Sequence, residues 1–77
     1  MKEAVERIIK SLVGEPDAVE IEEIVDGKNV RVEVRCADND MGRIIGREGR
    51  TVKAIRSVLF VAGQKQGKRF NLDLVED

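Results

Sequence analysis

The stretch Gly42-Arg43-Ile44-Ile45-Gly46-Arg47-Glu48-Gly49-Arg50 constrains this chain more than any other. It reads as a short helical turn, a glycine-bracketed loop and the start of a longer helix. Gly46 and Gly49 flank Arg47 and Glu48, two residues expected at the surface. Glycine lets the backbone turn sharply and lets a second backbone approach closely, because no Cβ stands in the way. The helix that follows offers unpaired N–H groups in its first turn, where an anion can sit. Arg43, Arg47, Arg50, Lys53 and Arg56 surround that point. A sugar-phosphate backbone suits such a loop, with the two glycines allowing close approach, Arg47 and Arg50 supplying charge, and Arg43 and Lys53 nearby.

The charge distribution supports the same partner. The net charge of −1 alone argues against a nucleic-acid binder, but residues 1–40 carry net −5, residues 41–56 net +4 and residues 57–77 net zero. A basic patch on an acidic body is the footprint that matters for phosphate binding, and it implies modest affinity. Three or four of the five basic groups can face one strand.

The rest of the chain reads as one small domain over residues 1–77. Residues 2–13 carry Val5, Ile8, Ile9, Leu12 and Val13 on one stripe, the spacing of an amphipathic helix that stops at Gly14 before Pro16. Residues 18–25 read as an edge strand whose Glu20, Glu22 and Glu23 form a solvated face, with a bulge or frayed end where Glu23-Ile24-Val25 breaks the alternation. Asp26-Gly27 signals a hairpin. Residues 29–36 alternate cleanly, with Val30, Val32, Val34 and Cys36 on one side. Asp38, Asn39 and Asp40 are N-cap candidates for the short helix running to Ile45. From Gly49 to Gln64 a helix places Val52, Ile55, Val58, Leu59 and Ala62 on its core face. Residues 68–75 form a last strand with Phe70, Leu72 and Leu74 inward. The order is α-β-β-α-α-β: an α+β fold with a three-stranded mixed sheet covered on one face by three helices.

Ile45-Gly46-Arg47-Glu48-Gly49 matches the I-G-x-x-G signature of KH domains, whose loop clamps about four nucleotides. The longer run from Asp40 to Arg56 resembles the KhpA family, small single-KH RNA-binding proteins of bacteria, and the likeness covers nearly the whole chain. The element order is similar to the type II KH arrangement. The resemblance implies single-stranded RNA as ligand, with Gly46, Arg47, Glu48, Gly49, Arg50, Arg43, Ile44 and Lys53 at the site. Ile44 and Ile45 are both groove candidates, and Ile45 is the one expected to pack into the core. It also implies self-association and pairing with KhpB, a larger KH protein also called Jag or EloR. That pair is linked to RNA-chaperone activity, cell elongation and the cell wall.

Other chemistries find little here. The chain has no histidine or tyrosine and no nucleophile beside a base, so no enzyme is expected, and no cofactor or metal. Cys36, the only cysteine, reads as a small buried hydrophobe and forbids an internal disulfide. A charged N-terminus and the lack of a long apolar run imply neither signal peptide nor membrane span, and a cytoplasmic location. With no tyrosine or tryptophan to stack bases, weak and unselective RNA binding is expected. The competing reading is an assembly module. Phe60 falls on the polar side of its helix, with Ser57 and Gln64 one turn either side, and these three residues are the expected homodimer contact.

Overall fold

The computed structural model describes residues 2–75; Met1, Glu76 and Asp77, the ends of the expected domain, lie outside the described residues. Helix α1 (Lys2–Leu12) buries Val5 and Ile9 and rests Ile8 and Leu12 against the same core. Its outer face carries the i,i+4 pair Glu6–Lys10 at 2.9 Å. The pairing holds the Glu6 carboxyl below its usual range, through the Lys10 hydrogen bond first and its charge second.

Strands β1 (Glu20–Asp26) and β2 (Asn29–Arg35) form an antiparallel hairpin. Gly27 takes a φ of 61° in the two-residue connection, the positive φ that tight hairpins favour. Strand β3 (Arg69–Leu74) pairs in parallel with β2, which is therefore central. The pairs Ile21–Val34, Val30–Phe70, Val32–Leu72 and Val34–Leu74 put these side chains on the helix-covered face. Val30, Val32, Val34 and Leu72 are buried there.

The expected bulge in β1 is not present. Pairing runs unbroken from Glu20–Arg35 to Asp26–Asn29. Period-two alternation then puts Glu23 opposite Val32 on the covered face, half-buried, and turns Ile24 to the open side. The three glutamates therefore do not share one solvated face. Val25 follows onto the covered side but stays 64% exposed, at a part of the edge strand the helices do not cover.

Helices α2 (Met41–Ile45) and α3 (Arg50–Gln66) complete the helical layer. On α3, Val52, Ile55 and Leu59 are buried, but Val58, expected in the core, is 57% exposed. The core arc centres on Leu59, and Val58 stands about 100° away from it on the helical wheel. The helix runs two residues beyond the expected end at Gln64, Gly63 is buried within it, and its left-handed cap is Gly67 at φ 67°.

Candidate nucleic-acid interface

The loop is built by two glycines with different duties. Gly46 ends α2 at φ 76°, ψ 177°, and its N–H donates to the carbonyl of Gly42 at 2.9 Å. A Cβ there would stand 2.2 Å from Thr51 Oγ1 and 2.9 Å from the Thr51 amide nitrogen. Space and conformation thus both demand glycine, and the loop lies directly on the first turn of α3. Gly49, at φ 76°, donates its N–H to the Gly46 carbonyl at 3.2 Å. A Cβ on it would meet only Lys53 Cε, at 3.9 Å, so conformation alone selects glycine there. Between them a single 3-10 turn (Arg47–Gly49) holds Arg47 and Glu48 out into solvent, as expected.

Helix α3 starts immediately after this turn, and no side chain caps it at Gly49. Its first-turn amides and dipole therefore face the loop. Arg47, Arg50 and Lys53 cluster at this end. Arg50 is turned toward Glu48 at 3.7 Å, with both side chains more than 70% exposed. Among the described residues Arg47 and Lys53 have no carboxylate partner.

Two expected site residues are placed differently. Ile44 is fully buried in the core, one turn from buried Met41, whereas Ile45 is half-buried at its margin. The assignment of the two is thus reversed: α2 rotates its Met41–Ile44 face inward and leaves Ile45 beside the loop. Arg43 points toward the start of α2, with its guanidinium 3.8 Å from Asp40. A Cβ on Gly14 would stand 2.9 Å from Arg43 Nη1, so Arg43 lies across the exit of α1.

Asp40 itself is not the expected side-chain cap of α2. Its carboxylate is 2% exposed and accepts the N–H groups of Gly14 and Glu15, each at 3.0 Å. It ties the end of α1 to the beginning of α2, the helix that leads into the loop. Burial, then the charges of Asp40 and Asp38, push the Cys36 thiol pKa up, which disfavours the reactive thiolate.

The outer side of α3 is more apolar than the sequence suggests. Phe60 is 64% exposed, with Ser57 and Gln64 exposed beside it, and Val58 and Val61 join them at 57% and 52%. The helical pattern alone groups Val58 with the core face. The signal for Val61 was its place two residues beyond Leu59, about 160° from it on the wheel. The Ser57 hydroxyl is satisfied within the helix, donating to the Lys53 carbonyl at 3.0 Å.

The family model of the KhpA/KhpB KH domain matches residues 2–74. This chain belongs to the KhpA/KhpB KH-domain family. It is not a family of enzymes. The chain is 43% identical over 76 residues to the RNA-binding protein KhpA of Halalkalibacterium halodurans, covering 99% of this chain and 100% of the relative. The KhpA proteins of Clostridium acetobutylicum (97% of this chain, 100% of the relative) and Chlamydia pneumoniae (100% and 99%) are each 40% identical. No solved structure matches significantly. No helix among the described residues is long and apolar enough to cross a membrane.

Proposed function

We propose that this chain is a single-stranded RNA-binding module that grips the sugar-phosphate backbone at the Gly46–Gly49 loop. One observation carries the reading: two positive-φ glycines present Arg47 on the uncapped end of α3, with Lys53 leaning over the same loop. The close relatives named as RNA-binding proteins support it. Arg43 is engaged by Asp40 and Arg50 by Glu48, so two or three cations meet phosphates instead of three or four. Each phosphate neutralised on a single strand contributes about −0.7 to the slope of log affinity against log salt, so a slope of about −1.4 to −2 is expected. Titration of a labelled RNA across a salt series measures it. Binding that is indifferent to salt contradicts a phosphate-led grip.

A second reading rests on the exposed Val58, Phe60 and Val61 of α3. They suit a helix-to-helix contact with a second copy, or with the KH domain of a KhpB-type partner, beside Ser57 and Gln64. An RNA-chaperone role with such a partner, in the cytoplasm and connected with cell elongation and cell-wall homeostasis, extends this proposal on family resemblance. The two readings are compatible, because the loop and the outer face of α3 are separate surfaces.

A further inference from the structure

The chain has two aromatic residues, and the fold puts both in one cleft. Phe60, Gln64, Lys68, Arg69 and Phe70 line a hollow of about 350 Å³ between the end of α3 and the start of β3. Phe60 is 64% exposed and Phe70 half-buried. Gly63 makes the arrangement. A Cβ at that position would stand 2.5 Å from the Lys68 carbonyl oxygen and 3.3 Å from Phe70 Cδ2. Its absence lets β3 close on the helix and brings Lys68 and Arg69 beside Phe60. The adjoining hollow shares Gln64, Lys68 and Arg69 and adds Lys28 from the hairpin. No carboxylate lines either hollow.

The cleft lies on a flank of α3 that leads back to the glycine loop. Arg56 Nη2 donates to the Leu72 carbonyl at 3.3 Å, which fixes this flank against β3. Phe60 and Gln64 follow at i+4 and i+8, each about 40° further round. Lys53 precedes Arg56 by three residues, and its Cε is 3.9 Å from where a Gly49 Cβ would be. One side of the helix therefore connects loop, Lys53, Arg56 and cleft over about 16 Å, the rise of the eleven residues from Gly49 to Phe60.

Resting on the RNA-binding reading above, we infer that the cleft is a second contact for the same RNA strand. A base stacks on the exposed ring of Phe60, and the adjoining phosphates lie against Lys68, Arg69 and Lys28. An aromatic face beside cations is the usual composition of a single-strand site, and it accepts any base because every base has a π-face. A second copy of the chain fits less well. A two-fold contact sets each patch against itself. Centred here, it would oppose Lys68 and Arg69 to their own counterparts. The outward-facing Val58 and Val61 stand about 160° and 100° round the helix from Phe60, off this flank.

The test compares RNA oligonucleotides of about four and about ten nucleotides, since the loop alone accommodates about four. The wild type is expected to bind the longer one more tightly by roughly 5- to 150-fold, the range that stacking of one base on an aromatic side chain supports. Phe60→Leu keeps the apolar bulk but removes the aromatic face and should erase most of that length-dependent gain. A 4-thiouridine placed toward one end of the longer strand should crosslink to peptides holding Phe60 or residues 68–70. Sedimentation of Phe60→Leu is run alongside. Crosslinks confined to the loop peptide, or an unchanged length dependence in Phe60→Leu, overturn the second contact while leaving the loop reading intact. Altered self-association with unchanged RNA affinity also overturns it and makes the cleft a protein contact. If neither strand binds the wild type, the RNA-binding reading itself fails.

Discussion

Glu48 stands in a left-handed conformation, φ 57° and ψ 24°, and is the one non-glycine residue with positive φ among those described. Holding a side-chain-bearing residue there costs about 1 kcal/mol. The exposed pair with Arg50 returns little of that, because solvent and salt screen it. Asparagine tolerates this conformation better and carries no charge. Glu48→Asn should therefore leave stability unchanged or slightly raised, while RNA affinity rises severalfold and the salt slope steepens as Arg50 is released. Lower affinity in this variant, measured by fluorescence anisotropy, would mean that the carboxylate helps the site. Asp40 presents the opposite case. It is nearly inaccessible and holds two backbone amides. Asp40→Ala leaves both donors unsatisfied and should cost about 3 kcal/mol in urea denaturation. A loss below about 0.5 kcal/mol would show that α1 does not depend on this anchor.

The helices and strands were mostly legible because their periodicities are strong. The stripe of α1 and the alternation of β2 are the cases where one face is buried and the other wet, which is the condition under which pattern reports burial. Legibility failed where neighbours decide. The register of β1 is imposed by β2, so Glu23 takes a covered position that its chemistry would not choose. The exact rotation of α2 exchanged the roles of Ile44 and Ile45, since five residues carry too little pattern to fix a face. Asp40 binds amides 25 and 26 residues away, and no local rule exposes that. The glycine loop was readable because it is local, whereas the engagement of Arg43 was not. On α3, Val61 stands at the middle of the exposed arc, with Phe60 and Val58 toward its two margins. If that face joins two copies, Val61→Asp should turn a dimer into a monomer with native circular dichroism, and Phe60→Asp should do the same. Sedimentation velocity at matched concentration decides. A wild type that is monomeric at high concentration, or variants that remain dimeric, would remove α3 from self-association.

At the scale of the whole molecule, the excess of acidic groups on the open sheet face and the basic cluster by the glycine loop fall on different surfaces. The open face of the sheet carries Glu20, Glu22, Asp26, Glu33 and Asp73 together with Arg31 and Arg35, and Arg31 lies 3.5 Å from Glu33 and 3.7 Å from Asp73. The cations that face solvent near the glycine loop lie on the helical side. Acids outnumber bases on the open face, and the cations near the loop draw a polyanion there instead, which orients a strand without requiring strong binding. The proposed grip places that strand on the Gly46–Gly49 loop, and exchanging the loop's two solvent-facing side chains examines this while sparing the core. Arg47→Asp combined with Glu48→Asp changes two exposed positions, and aspartate accepts the left-handed conformation at residue 48. The decisive measurement is the anisotropy of a labelled single-stranded RNA titrated at low salt with the wild type and with this double variant, whose fold is checked by circular dichroism. Binding should be lost, with the fold retained. A folded double variant that binds the RNA as the wild type does would contradict the loop as the site.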